Sequence, residues 1–223
     1  MKIIEDALKR GAKALSEHES KLFLAEQGIP VTRETVVTTE DEAVAAAAAI
    51  GYPVVLKGSG EALSHKTELN LIALDMRDEA DVRTAFKGFV SRTDVEVKEV
   101  LVQQMVKGDR ELVIGLTRDD QFGPCVMFGL GGIFTEILED ISFRVAPLER
   151  IDAMEMMDDI RGKKILGPVR RKPAVDRDVL ADILIALGQI GLDNEKIKEI
   201  DINPLKIVDG KPIAVDALVV LDN

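Results

Sequence analysis

The chain has 223 residues, of which 46% are hydrophobic and 31% are charged, and its formal net charge at pH 7 is -11. This length allows one domain or two small lobes, and the composition is that of a globular protein; the acidic charge and the 4% aromatic content without Trp argue against a nucleic-acid partner. A single cysteine, the absence of an apolar run of about 20 residues and the absence of a signal-peptide pattern predict a cytoplasmic protein with no membrane partner.

The first half of the chain reads as helices alternating with apolar strands. Apolar residues recur at helical spacing over residues 3–15, which predicts a first amphipathic helix. Two capping-box patterns predict the starts of the next two helices: Ser16 with Glu19, and Thr39 with Glu42. An apolar strand follows and ends at Lys57, and a further strand and helix are predicted up to about residue 90.

The second half is richer in strands. Three strands are predicted over 100–106, 111–117 and 124–128, then two helices, and finally three strands around an Asp209-Gly210 hairpin turn. We therefore predict an α/β (α+β) fold with two lobes, each a sheet with packed helices. The expected division of the single domain 1–223 is a first lobe over 1–95, including the N-terminal helices, and a second lobe over 96–223.

Lys57 is the first candidate for a functional residue. It lies where a buried apolar strand emerges, a place that holds an ammonium group rigidly beside a polyanion such as a phosphate chain. A strand-end lysine that reaches water is the structural alternative.

Three glycines, Gly129, Gly131 and Gly132, follow a predicted strand. Glycine lets backbone amides approach a phosphate closely. The segment matches neither the P-loop pattern nor the dinucleotide fingerprint, so by itself it is weak evidence for nucleotide binding.

A possible cation site lies near the C-terminus. Asp201 and Asn203 share one side of an extended chain, and Asp216 lies on a later strand that the hairpin brings back toward Asn203. Asn203 and Asp216 would then offer the hard oxygen ligands that magnesium takes together with phosphates and water. The alternative is an Asn that caps a turn before Pro, with an unrelated surface Asp.

His65 is one of two histidines, and a neutral imidazole can accept a phosphoryl group. A solvated loop histidine without a role is the alternative. Cys125 has no neighbouring histidine in the sequence, so a nucleophilic role is not expected.

Several segments together resemble the β subunit of the ADP-forming acyl-CoA synthetases, relatives of the succinyl-CoA synthetase β subunit in the ATP-grasp superfamily. The segments are AEQGIPV (25–31), GYPVVLK (51–57), SHKTE (64–68), the block over 119–148, and EIDINPL (199–205) followed by AVDA (214–217). The resemblance covers nearly the whole chain. It departs from the family at Asn70-Leu71, where the family commonly has two glycines.

The resemblance implies an ATP-grasp fold and a set of roles. Lys57 and Glu111 contact ATP or ADP, as do the glycines at 129, 131 and 132, while Asn203 and Asp216 bind magnesium. The backbone of an interlobe hinge reads the adenine, and that hinge consists of Gln103, Gln104, Met105 and Val106. His65 is the phosphorylated histidine.

The resemblance also implies the reaction acyl-CoA + ADP + phosphate = acid + CoA + ATP through phosphohistidine intermediates. An α subunit carrying the CoA and acyl-phosphate sites is expected as partner, in an α2β2 assembly. Two alternatives remain: an ATP-grasp ligase in which His65 has no shuttle role, and a non-catalytic nucleotide-sensing domain.

Overall fold

The computed structural model describes residues 2–59, 71–92, 97–108, 110–132, 140–169 and 171–222. The helices and strands are, in chain order: α1 (Lys2–Lys9), α2 (Glu17–Glu26), β1 (Glu34–Val37), α3 (Glu40–Ile50), β2 (Val54–Ser59), β3 (Ile72–Met76), α4 (Glu79–Val90), β4 (Glu99–Gln104), β5 (Arg110–Asp119), β6 (Gly123–Leu130), β7 (Ile141–Val145), α5 (Arg150–Asp159), a 3-10 helix (Lys163–Leu166), α6 (Arg177–Asp193), β8 (Ile197–Val208), β9 (Lys211–Ala214) and β10 (Ala217–Leu221). None of the helices in these ranges is long and apolar enough to cross a membrane.

The chain forms two compact units. The smaller unit spans residues 32–106, and the larger unit combines residues 1–31 with residues 107–223. This division differs from the expected boundary near residue 95. The N-terminal helices belong with the C-terminal strands because residues 14 and 15 pair with β10, where the amide of Leu15 donates to the carbonyl of Val219 at 2.9 Å.

The smaller unit is a four-stranded antiparallel sheet in the order β1-β4-β2-β3, with α3 and α4 as its helical layer. Its core is formed by one face of the central strands, Val54 and Leu56 on β2 with Val100 and Val102 on β4. The predicted capping box of Thr39 and Glu42 is present at the start of α3. It satisfies backbone N–H groups that the helix itself leaves without partners.

Leu71 anchors the start of β3 in this core. It is fully buried, its carbonyl accepts a 2.8 Å hydrogen bond from the amide of Gly58, and it fills the space that Gly58 leaves. A Cβ on Gly58 would lie 3.1 Å from the Cβ of Leu71. The leucine that departs from the family pattern is therefore accommodated by a glycine on the neighbouring strand.

The larger unit contains a sheet in the order β10-β8-β5-β6-β7, with β9 paired to β8. Its core is a layer of aliphatic side chains between β5, β6 and β8 and the helices α5 and α6. Helix α6 buries the apolar face that its spacing predicted, including Leu180, Ile183, Leu184 and Leu187. The other face of this sheet carries most of its polar side chains.

The first predicted helix was too long. Helix α1 ends at Lys9, and Gly11 has a φ of +72°, a left-handed conformation that ends a helix and that glycine adopts without steric cost. Beyond it the chain becomes extended, and Ala14 forms a bridge with Val220 of β10. Tertiary pairing with a strand distant in sequence overrides the helical spacing of residues 12–15.

We predict that Leu71→Ala lowers the free energy of unfolding by about 2 to 5 kcal/mol, because it leaves a cavity beside Gly58. Chemical denaturation of the purified protein measures the change. Leu74→Ala on the same strand β3 is the matched control, since Leu74 is 62% exposed. Equal losses for the two variants would contradict the anchoring role of Leu71.

Candidate functional site

In the smaller unit, Lys57 and Gln103 lie on the sheet face opposite α3 and α4. Their neighbours Leu56 and Val102 point into the helix-covered core, and side chains alternate along a strand. Lys57 pairs in register with Leu101, and Gln103 pairs with Val55, so the two polar side chains are diagonal neighbours. Both are buried, with 5% of Lys57 and 1% of Gln103 exposed. The structure therefore brings together a desolvated ammonium group and the first residue of the predicted hinge.

The rest of the predicted hinge continues from the end of β4. The backbone N–H of Gln104 donates to the carbonyl of Arg33 at 2.8 Å, and the Arg33 Nε donates to the Gln104 Oε1 at 3.3 Å. Met105 donates its N–H to the carbonyl of Pro53 at 3.4 Å. After Val106 the chain enters the larger unit. The segment is thus held to the smaller unit by backbone contacts at the point where the chain passes to the larger one.

In the larger unit, Asn203 and Asp216 are joined by a backbone hydrogen bond. The N–H of Asn203 donates to the carbonyl of Asp216 at 3.3 Å. Asp216 lies in the short break between β9 and β10, so it is not part of a strand. The two candidate magnesium ligands are therefore neighbours in space, as the hairpin pattern predicted.

A β-bulge shapes this site. Opposite the step from Leu112 to Ile114 on β5, strand β8 advances three residues, from Ile202 to Leu205, so one residue of β8 is extra. A bulge bends its strand and re-aims a side chain, and bulges occur frequently beside functional sites. Here the bulge falls at Asn203-Pro204, and Asn203 is exposed.

Asp201 adds a partly buried carboxylate to the same sheet face. Burial, together with the smaller effect of the negative charges of Glu199 and Asp216, raises the pKa of Asp201 to about 6. Ile200 and Ile202 on either side of it are in the core, so Asp201 points to the face that carries Asn203. Negative charge from Glu199, Asp201 and Asp216 is therefore concentrated here.

This donor set fits a magnesium ion that also binds phosphate. Among the residues in the described ranges, no group of three or more His, Cys, Asp or Glu side chains is arranged to hold a metal ion by itself. Asn203 and Asp216 offer amide and carboxylate oxygens, and magnesium usually takes one or two protein ligands and completes its shell with phosphates and water. Asp201 adds negative charge beside these two ligands, which would attract a cation.

The glycine segment differs from its predicted arrangement. Gly129 lies inside β6, opposite Val113 of β5 and Ile141 of β7, rather than in a turn. The amide of Gly131 donates to the carbonyl of Glu111 at 2.8 Å, and a Cβ on Gly131 would lie 2.8 Å from Glu111 backbone. Gly129 and Gly131 serve the close packing of strands, and the contact of Gly129, Gly131 and Gly132 with a nucleotide stays a prediction.

Glu111 is held by a lysine that sequence reasoning did not select. The Nζ of Lys206 lies 3.0 Å from the Oε1 of Glu111, and the two residues are paired in register across β5 and β8. Gly132 lies close to the same carboxylate: its φ is +65°, and a Cβ on it would lie 2.9 Å from the Oε2 of Glu111. Lys206 places a cation on this sheet face. The sequence signal for it was the polar position of Lys206 between the core residues Leu205 and Ile207.

Two further candidates differ in what the structure says of them. His65 and Asn70 lie outside the described residues, so the role of His65 stays a prediction.

Burial raises the pKa of the Cys125 thiol, with a smaller contribution from Asp119. A thiol that stays protonated is a poor nucleophile, in agreement with the sequence interpretation.

Comparison with known proteins gives consistent matches. A family model described as an ATP-grasp domain matches residues 6–221. The chain is 41% identical over 224 residues to the acetate–CoA ligase [ADP-forming] I subunit beta of Pyrococcus furiosus, covering 98% of this chain and 96% of that subunit. It is 37% identical over 224 residues to the acetate–CoA ligase [ADP-forming] I of Archaeoglobus fulgidus, covering 98% of this chain but 32% of that longer protein.

The fold also matches a solved structure. The dinucleotide-forming acetyl-coenzyme A synthetase 1 of Ca. Korarchaeum cryptofilum superimposes with a TM-score of 0.88 at 40% identity, over 99% of each chain. That structure is in complex with coenzyme A and Mg-AMPPCP, with its phosphohistidine segment pointing towards the nucleotide binding site. The match extends over both units of the chain.

We predict that Asp201→Asn raises the melting temperature of the metal-free protein at pH 7.5. The folded protein then keeps Asp201 ionised beside Glu199 and Asp216, whereas asparagine carries no charge. The substitution removes the cost of burying this charge and its repulsion by the two neighbouring carboxylates, together about 1 kcal/mol for a partly exposed group, so the expected shift is about 2 to 4 °C. Calorimetry measures it, with the exposed Asp120→Asn as control. A lower melting temperature for Asp201→Asn would contradict the interpretation that the ionised carboxylate of Asp201 destabilises the metal-free protein.

Proposed function

Because the chain belongs to the ATP-grasp domain family and is related to the β subunits of ADP-forming acetate–CoA ligases, we propose that it is the nucleotide-binding subunit of an ADP-forming acyl-CoA synthetase. The proposed reaction is acyl-CoA + ADP + phosphate = acid + CoA + ATP, catalysed in the cytoplasm by an acid–thiol ligase. The observation that carries the proposal is the convergence of Asn203, Asp216 and the partly buried Asp201 into one acidic cluster.

Candidate nucleotide contacts are proposed in each unit. Lys57 offsets phosphate charge with an ammonium group that is already desolvated, so the interaction is stronger than it is in water. The backbone of residues 103–106 reads the adenine. In the larger unit, Glu111 contacts the nucleotide and Lys206 adds a second cation near it. Phosphoryl transfer depends mainly on positioning and charge neutralisation, which these groups supply.

Asn203 and Asp216 would hold magnesium, and Asp201 contributes negative charge at the same place. When bound, the ion neutralises phosphate oxygens and orients them. The bulge at Asn203-Pro204 and the hydrogen bond from Asn203 to Asp216 keep the two ligands in register before any ion arrives.

His65 is proposed as the phosphoryl carrier. A neutral ring nitrogen attacks the phosphorus of an acyl phosphate, forming a P–N bond as the P–O bond to the carboxylate breaks. A β-phosphate oxygen of ADP then attacks the same phosphorus, and the P–N bond breaks to give ATP. The Korarchaeum enzyme, whose phosphohistidine segment points towards its nucleotide site, supports this role.

An α partner is required by the proposal. The longer Archaeoglobus relative contains a region like this chain as about a third of its length, which is consistent with an α part fused to a β part. We propose that the partner carries the CoA and acyl-phosphate sites and that the assembly is α2β2.

We predict that His65→Ala abolishes acyl-CoA-dependent ATP formation when the chain is purified with its α partner. Magnesium-dependent nucleotide binding should persist, because His65 is not needed to hold the nucleotide. The assay measures ATP formed from acyl-CoA, ADP and phosphate, with His18→Ala as the matched control. Full turnover by His65→Ala would indicate a ligase without a histidine shuttle. Nucleotide binding without turnover in the wild type would indicate a sensing domain.

We also predict that Lys57→Met weakens ATP binding in the presence of magnesium by about 10- to 100-fold, because it removes a charge-assisted hydrogen bond in a buried place. Titration calorimetry measures the dissociation constant. The control is Lys98→Met, since Lys98 is an exposed lysine of the same unit. Unchanged affinity for Lys57→Met would remove Lys57 from the site.

A further inference from the structure

A buried ion pair in helix α2 contacts the backbone that carries Asp216. The Nζ of Lys21 lies 3.1 Å from the Oε1 of Glu17, and the side chains are only 1% and 4% exposed. Fully buried lysines are rare in proteins unless they are paired. The proposed reaction does not use either residue directly, so their burial needs a different explanation.

The same ammonium group reaches the segment next to the proposed magnesium ligand. Lys21 Nζ donates to the carbonyl of Val215 at 3.1 Å. Val215 and Asp216 lie between β9 and β10, where the chain leaves one strand and begins the next. A backbone carbonyl in such a break lacks the regular partners of a ladder, and Lys21 provides one.

Three hydrogen bonds then fix this two-residue segment. The N–H of Val215 donates to the carbonyl of Pro204 at 3.1 Å, the carbonyl of Val215 accepts from Lys21, and the carbonyl of Asp216 accepts from Asn203. Two of these bonds come from the bulged part of β8, and the third comes from α2. A charge-assisted bond is roughly twice as strong as a neutral one, so the Lys21 contact is the strongest of the three.

Helix α2 is itself held against strand β10. The Oγ of Ser20, the residue before Lys21, accepts a hydrogen bond from the N–H of Val219 at 3.1 Å. The capping box of Ser16 and Glu19 fixes the start of the helix. Lys21 is therefore presented to Val215 from a rigid support.

We propose that Lys21, balanced by Glu17, is a positioning residue for the magnesium site, acting through the Val215 carbonyl on the carboxylate of Asp216. This inference rests on the proposed role of Asn203 and Asp216 in metal binding. Groups that orient a metal ligand from behind typically change metal affinity by about 10- to 100-fold when they are removed. Lys21 does not touch the ion or the nucleotide in this proposal.

The test separates positioning from stability with two variants. Lys21→Met leaves Glu17 buried without its ammonium partner, so it should be strongly destabilised. The double variant Glu17→Gln/Lys21→Met removes both charges, and replacing a buried ion pair by uncharged groups of similar size is often neutral for stability. Lys9→Met is the matched control, because Lys9 pairs with Asp6 on the surface of α1.

Two measurements are made on each protein. Mn²⁺ binding in the presence of ADP is followed by the electron paramagnetic resonance signal of free Mn²⁺. Amide hydrogen exchange is measured on the metal-free protein at Asn203 and Val215, with Ile114 on β5 as the internal reference. We expect the double variant to fold like the wild type, to bind Mn²⁺ about 10- to 100-fold more weakly, and to exchange faster at Asn203 and Val215 only.

Asp216→Asn, measured in parallel, distinguishes the two proposals. If Asp216→Asn binds Mn²⁺ weakly while the folded double variant binds it like the wild type, with protected amides at Asn203 and Val215, the positioning role of Lys21 is wrong and the metal site stands. If Asp216→Asn binds Mn²⁺ as tightly as the wild type, the metal assignment fails and the inference fails with it.

Discussion

The hydrogen bond from the Asn203 amide to the Asp216 carbonyl is the contact on which the candidate site depends. It joins β8, at the place where this strand contains an extra residue, to the short segment between β9 and β10. The hydrogen bond fixes the two candidate ligands next to each other across the hairpin. With it, the larger unit presents a partial set of oxygen ligands that phosphate and water can complete.

Charge is arranged around this contact in two ways. One face of the sheet concentrates carboxylates, where burial and the charges of Glu199 and Asp216 raise the pKa of Asp201, so that its ionised form costs stability in the metal-free state. Next to this contact, Lys21 and Glu17 are buried as an ion pair, and Lys21 donates to the carbonyl of Val215. A functional site that costs stability in the absence of its ligand is common, because the ligand restores what the arrangement costs.

Local sequence patterns predicted much of the fold. The capping boxes at Ser16 and Thr39 and the apolar face of α6 are found where their patterns placed them, since these signals act within a few residues. The prediction made helix α1 too long, because the left-handed conformation of Gly11 and the pairing of Ala14 with β10 are decided by tertiary contacts. The same contacts explain why the units divide differently from a boundary drawn along the sequence.

The candidate site was predicted in part. Asn203 and Asp216 could be paired from strand alternation and a hairpin turn, and the structure brings them together. Lys206 and the role of Asp201 were missed, because a cross-strand ion pair and a pKa depend on register and burial. The glycine-rich run was predicted to follow a strand, whereas Gly129 lies inside β6 and Gly131 allows close strand contact, because strand length is set by pairing with β5 and β7.

The pairing of Leu15 with Val219 has a consequence for how the chain is made. During synthesis residues 1–31 emerge before β10, the strand that completes their packing. The smaller unit is continuous in sequence and can close early, whereas closing the larger one requires joining ends about two hundred residues apart, which carries a larger entropic cost. Helix α2 therefore lacks its contacts with β10 until that strand has been synthesised.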